Sequence, residues 1–181
     1  GRVIAIGAPY NDGNGSNSGH VRIFECYDET NWNQVGSDLD GKAAGIQSGK
    51  SVSISGDGNT VAMTGGYNIQ STEGYVRSYT WGGALLTSSG VWNQRGTDII
   101  EDSPSYQTNE QPRVVALNYN GKTMAIGYDW GYSFNNGYSG FTRVLHWNGS
   151  IFKKVGEKII IEKDGDFSGH SVSISDNGER V

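Results

Sequence analysis

A chain of 181 residues is long enough for one domain with a core of its own. Its 14 basic and 19 acidic residues leave a net charge of −5, and no Lys/Arg run interrupts that balance, which argues against a nucleic-acid partner. Hydrophobic residues make up 35% and glycines number 28 against 3 prolines, a mix that excludes collagen and Pro-rich linkers and fits many short strands joined by small polar turns.

Cys26 is the sole cysteine, so no intrachain disulfide holds the fold, and a small buried apolar role is expected for it. No stretch approaches the ~18 apolar residues of a spanning helix. No signal peptide or lipidation motif is visible. The chain opens without Met inside a strand-like run, so it is expected to be a segment of something longer or a mature product.

In chain order, the first run is Val3 to Gly7, within Gly1-Arg2-Val3-Ile4-Ala5-Ile6-Gly7. It returns as Gly58-Asn59-Thr60-Val61-Ala62-Met63-Thr64 and as Gly121-Lys122-Thr123-Met124-Ala125-Ile126-Gly127, and a fourth copy begins at Gly178-Glu179-Arg180-Val181. The copies start 57, 63 and 57 residues apart, which marks an array of supersecondary units. The run is nearly continuous in apolar residues, as in a strand buried on both faces.

After a polar loop comes Gly19-His20-Val21-Arg22-Ile23-Phe24, matched by Gly74 to Tyr79 and Gly140 to Leu145. The next run begins at an aromatic: Trp32-Asn33-Gln34-Val35-Gly36, Trp92-Asn93-Gln94-Arg95-Gly96 and Phe152-Lys153-Lys154-Val155-Gly156. The last is Lys50-Ser51-Val52-Ser53-Ile54-Ser55, with counterparts at Arg113 to Asn118 and His170 to Ser175. Small polar and β-branched residues alternate there with a period of two. Asp57-Gly58, Asn120-Gly121 and Asn177-Gly178 then supply hairpin turns. No window carries a sustained helical period, so little helix is expected.

The fold expected is all-β: about three four-stranded antiparallel units of ~60 residues, as in propeller blades. The units run 1–57, 58–120 and 121–177 within a single repeat domain, and a fourth starts at 178–181. A β-trefoil is the competitor, but its units are usually shorter. Known propellers close with about four to eight blades, so these three are expected to belong to a larger propeller. Unpaired terminal edges would otherwise promote self-association.

Ser168-Gly169-His170-Ser171, Gly7-Ala8-Pro9 and Gly19-His20-Val21-Arg22-Ile23 resemble the FG-GAP repeat of integrin-α-type propellers. The likeness is closest in the first unit and partial in the third; in the second, Gly65-Gly66 replaces Ala-Pro. The Ser-Val-Ser-Ile-Ser run is also similar to tandem repeats of large surface or secreted proteins. The resemblance implies an extracellular or cell-surface scaffold for adhesion or ligand binding. That family's calcium loop does not carry over, because Ser55-Gly56-Asp57-Gly58-Asn59 is too short to wrap an ion.

Tyr10, Tyr67 and Trp130 share one repeat position, just past the Val3 to Gly7 run and its copies, and are the preferred ligand-binding residues. Aromatics there could stack on a sugar or anchor a protein, with packing between units as the competing role. Asp12, Asn14 and Ser16 form the candidate calcium loop, with oxygens at alternate positions but no closing Glu; a solvated turn is the favoured reading. Asp38-Leu39-Asp40-Gly41 and Asp164-Gly165-Asp166 are similar clusters, read as turns. Arg22, Arg77 and Arg143 repeat; they could bind an anionic ligand, but each is expected instead to pair with a carboxylate or carbonyl between units. Trp32, Trp92 and Phe152 are expected in the core.

His20, His146 and His170 fall at three different repeat positions, with no metal spacing and no Gly-x-Ser-x-Gly elbow. Asn14-Gly15-Ser16 and Asn148-Gly149-Ser150 are glycosylation sequons. The expectation is therefore a non-catalytic binding or structural scaffold outside the cell, holding a protein or glycan and requiring no cofactor. A lectin-like sugar-binding module, trefoil or propeller, is the first alternative. A propeller hydrolase is the second.

Overall fold

The computed structural model describes residues 2–66, 74–83, 90–101, 111–129, 140–160 and 165–181. Among them there is no helix; the chain forms three sheets of four antiparallel strands. Sheet 1 contains β1 (Val3–Ala8), β2 (His20–Cys26), β3 (Trp32–Gln34) and β4 (Leu39–Asp40), with both β3 and β4 paired to β2. Sheet 2 runs in order β5 (Val52–Ile54), β6 (Thr60–Gly65), β7 (Tyr75–Trp81) and β8 (Trp92–Gln94). Sheet 3 runs β9 (Val114–Leu117), β10 (Thr123–Tyr128), β11 (Phe141–Trp147) and β12 (Phe152–Ile159).

The Ser-Val-Ser-Ile-Ser run therefore belongs to the sheet of the strand that follows it. Ser53 lies opposite Ala62, and Ala116 opposite Ala125. The hairpin between them is built alike each time. The Ser55 amide donates to the Thr60 carbonyl at 2.8 Å, and the Asn118 amide to Thr123 at 3.0 Å. Gly58 and Gly121 take φ values of 75° and 63° in those turns, the left-handed region that a glycine enters without strain. The His170 to Ser175 run departs from expectation: its turn forms, with the Ser175 amide on the Arg180 carbonyl at 2.9 Å, but the run makes no strand. A strand needs a ladder partner, and among the described residues no strand pairs with this run.

Two apolar clusters lie between the sheets. Val21, Ile23, Val35 and Leu39 of the first unit meet Val61, Met63, Tyr79 and Trp81 of sheet 2. Ala62 and Val76 on the other face of sheet 2 meet Val115, Met124, Ile126 and Leu145 of sheet 3. Sheet 2 is covered on both sides, which is why Thr60–Gly65 is wholly buried. The serines of the Lys50 to Ser55 run also join sheets: Ser51 and Ser53 Oγ accept the Val115 and Leu117 amides at 3.2 and 3.0 Å. Those two amides point away from β10, because amides alternate in direction along a strand.

The aromatics that open the fourth strands behave differently from one another. Trp92 Nε1 donates to the Val35 carbonyl at 2.9 Å and its ring lies against Gly36, so it plugs into sheet 1. Phe152 packs against the second cluster beside Trp147. Trp32 is 46% exposed, which corrects the expectation that it is core. Its counterparts are covered by the preceding sheet, and among the described residues no sheet covers that side of sheet 1.

Candidate functional site

The repeated arginines organise one charged centre per sheet. In sheet 1, Arg22 donates twice to Asp38, at 2.8 and 3.0 Å, and Gln34 donates to the same carboxylate at 2.7 Å. In sheet 2, Arg77 donates to Asp98 at 2.7 and 3.0 Å, Gln94 joins at 3.2 Å, and Lys42 reaches across from the first unit at 3.5 Å. Sheet 3 has Lys158 where the others have the aspartate, so Arg143 takes its carboxylate from elsewhere: Glu101, which follows sheet 2, at 2.7 Å. Lys154 and Lys158 face the same Glu101 at 3.4 and 3.7 Å.

Burial and hydrogen bonding set the acidity of these groups. The Arg22 hydrogen bonds hold Asp38 below the usual carboxylate range against a smaller effect of burial. Burial is the largest effect on Asp98 and Glu101 and pushes both up, but the bonds and charges of Arg77 and Arg143, with the nearby lysines, outweigh it and leave both lowered. The arginines do pair with carboxylates, but the expected link between units is made only by Arg143 to Glu101; Arg22 and Arg77 take theirs within their own unit, which corrects that expectation.

His20, Asp38 and Asp40 each bring one ligand atom within 4.8 Å of the others, a donor set a transition metal could use. Yet both Asp38 oxygens are already taken by Arg22. His20 Nδ1 lies 3.3 Å from the same carboxylate. The cluster is part of the arginine centre of sheet 1.

A second constellation forms at the opposite kind of position, where β10 ends and β9 begins. Asp129 is buried just after β10, with its side chain 3% exposed. Its Oδ2 accepts from Arg113 Nε at 2.8 Å and lies 3.1 Å from His170 Nδ1. Its Oδ1 is equally buried and has no hydrogen-bond partner among the described residues. A buried carboxylate oxygen without a donor is costly, and it marks a place where a donor from beyond the described residues would be favourable. Arg113 and His170 head two successive copies of the same run, and Lys50 heads the other. Lys50 and Arg113 line one cleft with Thr64, Gly66 and Gln111. This basic position was readable in the aligned repeats. The burial of Asp129, at the place of Pro9 and Gly66, was not.

Of the aromatics expected to bind, Tyr10 is 70% exposed at the equivalent end of sheet 1. Tyr67 and Trp130 lie outside the described residues. The loop of Asp12, Asn14 and Ser16 is occupied with its own bonds: Asp12 Oδ1 accepts the Asn17 amide at 2.7 Å, and Asn14 Nδ2 donates to the Gly41 carbonyl at 2.8 Å. That is the behaviour of a turn. His146 bonds Thr123, and His20 and His170 each face an aspartate, so the histidines lie in three separate places. Among the described residues no serine hydroxyl bonds His170.

No helix among the described residues is long and apolar enough to cross a membrane. The sequence matches no family model and no curated protein.

Proposed function

We propose that the chain is part of an FG-GAP-like β-propeller that works outside the cell as a non-catalytic, adhesion-like scaffold. Its sheets are the blades, and its partner is a glycan or a glycan-bearing protein held at the end where β1, β6 and β10 finish. The observation that carries this reading is the buried Oδ1 of Asp129 between Arg113 and His170, which has no hydrogen-bond partner among the described residues. A carboxylate fixed by an arginine and still able to accept is suited to a sugar hydroxyl, and an exposed aromatic such as Tyr10 offers a stacking face. The loops of that end join rigid strands, which is where binding usually resides.

The test is a glycan array probed with the chain and with Asp129→Asn, followed by calorimetry on any hit. Saturable binding that falls at least roughly tenfold in the variant supports the reading. A chain that binds no glycan, or a variant that binds as well as the original chain, sinks it.

A further inference from the structure

One strand position breaks the repeat. Val35 and Val155 follow Trp32-Asn33-Gln34 and Phe152-Lys153-Lys154, but Arg95 follows Trp92-Asn93-Gln94. Arg95 reaches from sheet 2 to sheet 3. Its guanidinium lies 4.5 Å from the centre of the Trp147 ring and 5.4 Å from that of Phe152. Its Nη1 donates to the Gly121 carbonyl at 2.8 Å and to Thr60 Oγ1 at 3.2 Å. Groups from both sheets therefore hold it in place.

The edge that Arg95 leaves unused is the one the repeated arginines use. Arg22, Arg77 and Arg143 each grip a carboxylate with Nε and Nη2. In Arg95 neither of these atoms has a hydrogen-bond partner among the described residues, and no carboxylate there forms an ion pair with it. Burial lowers the pKa of Arg95, and the charge of Asp57 offsets this only in part.

Arg95 lines a cleft of about 600 Å³, within the roughly 300–1,000 Å³ of small-ligand sites. Every lining residue comes from sheets 2 and 3 or their turns. The cleft lies at the Asp57-Gly58 and Asn120-Gly121 turns, so Lys122 at this end of β10 and Asp129 at the other belong to different places. Lys122 is exposed, lines the cleft and has no carboxylate partner among the described residues. Asp57 is the sole acidic lining residue, and its Oδ1 already accepts from Ser55 Oγ and the Asn59 amide. Asn59, Thr80, Gln94, Asn120 and Ser150 add amides and hydroxyls, and Trp147 is the only apolar side chain of the lining.

We propose that this cleft binds an acidic saccharide, with a carboxylate or sulfate of the sugar on the Nε–Nη2 edge of Arg95 and beside Lys122. Two parallel N–H groups match two oxygens of such an anion. The amide and hydroxyl side chains suit the hydroxyls of a sugar. An acidic peptide would find little beyond Trp147 for its apolar side chains.

Calorimetry on the whole chain tests this with four probes: a hexuronate oligosaccharide, a sulfated one, a neutral one of the same length and a glutamate-rich peptide. Either acidic sugar is expected to bind saturably, roughly tenfold or more tighter than the neutral one, and more weakly as salt rises. The tighter of the two names the acid group. Arg95→Val installs the residue of the other units and is expected to weaken binding roughly tenfold or more. Lys122→Ala is expected to weaken it roughly threefold, and it decides the matter if Arg95→Val changes the far-ultraviolet spectrum. Asp129→Asn should leave this binding unchanged, which separates the result from the fate of the Asp129 site. The proposal is overturned if neither acidic sugar binds, if the neutral sugar or the peptide binds as tightly, or if the loss is confined to Asp129→Asn. Indifference to both cleft variants overturns it too, as does indifference to Lys122→Ala where Arg95→Val does not fold.

Discussion

β1 and β10 are copies of one strand. Val3-Ile4-Ala5-Ile6-Gly7 and Thr123-Met124-Ala125-Ile126-Gly127 share their apolar positions, yet the six residues of β10 are all buried while β1 alternates between half-buried and exposed. The strands do not differ in pattern; their neighbours differ. β10 faces sheet 2 across a packed cluster, and the outer face of β1 meets no other sheet among the described residues. Burial in a repeat protein is therefore a property of the junction, and a sequence period reports the unit more faithfully than the interface.

The charged centres offer the largest way to break the comparison. Arg143 and Glu101 are 7% and 3% exposed, and Glu101 is borrowed from the preceding unit. Glu101→Ala leaves the buried Arg143 guanidinium without the carboxylate it donates to and is expected to cost about 3–5 kcal/mol in a urea titration. Asp38→Ala at the exposed centre of sheet 1 should leave the midpoint nearly unchanged, since the Arg22 side chain is 46% exposed there. Equal losses at both would mean that the buried centre does not fasten sheet 3 to sheet 2.

Next in size is the apolar contrast. Ile126 is fully buried and Ile6 is 49% exposed. Ile126→Ala is expected to destabilise by about 2–5 kcal/mol, through lost transfer energy and the cavity left behind. Ile6→Ala should cost well under about 1 kcal/mol, because surface substitutions rarely exceed that. Equal losses in the same urea titration would mean that burial does not separate the two positions.

What could be read from the sequence follows the same division. The period, the strands and the turns were legible because each rests on a local rule: alternation in Val52 to Ile54, continuous apolarity in Thr60 to Gly65, and a glycine at positive φ in each turn. The pairing of Arg22 with Asp38 was legible in kind, since both residues recur in the second unit. Where one unit borrows from another, sequence reading failed. Lys158 stands in place of the aspartate, and nothing local says that Glu101 supplies the missing charge. Trp32 reads like Trp92 but has no sheet to enter among the described residues. Asp129 replaces a Pro and a Gly of the other units, a local oddity whose burial is only visible once Arg113 and His170 are brought to it.

A smaller effect is expected at the serines between sheets. Ser53 Oγ accepts the Leu117 amide at 3.0 Å. Ser53→Ala removes one such bond and should cost about 0.5–1.5 kcal/mol. Ala116 and Ser173 occupy the same repeat position, and Ser173 is exposed. Ser173→Ala should then leave stability unaffected, and a loss as large as at Ser53 would contradict the idea that these hydroxyls act only across a junction.

The smallest contrast is in acid. Asp38, Asp98 and Glu101 are all held below the ordinary carboxylate range, so each favours the folded state above its unfolded value of about 4 and loses that contribution as the pH falls through its lower folded value. The chain should accordingly be at full stability near neutrality and weaken below about pH 4. Removing a carboxylate removes its share of that slope. Asp98 is 19% exposed beside Arg77 at 14%, so Asp98→Asn should flatten the acid limb of a urea midpoint plotted against pH. Asp38→Asn, in the more exposed centre, should flatten it less, because solvent screens the Arg22 pair. An identical flattening by both substitutions would mean that burial does not distinguish the two centres, and the difference drawn between the outer sheet and the inner one would have to rest on apolar packing alone.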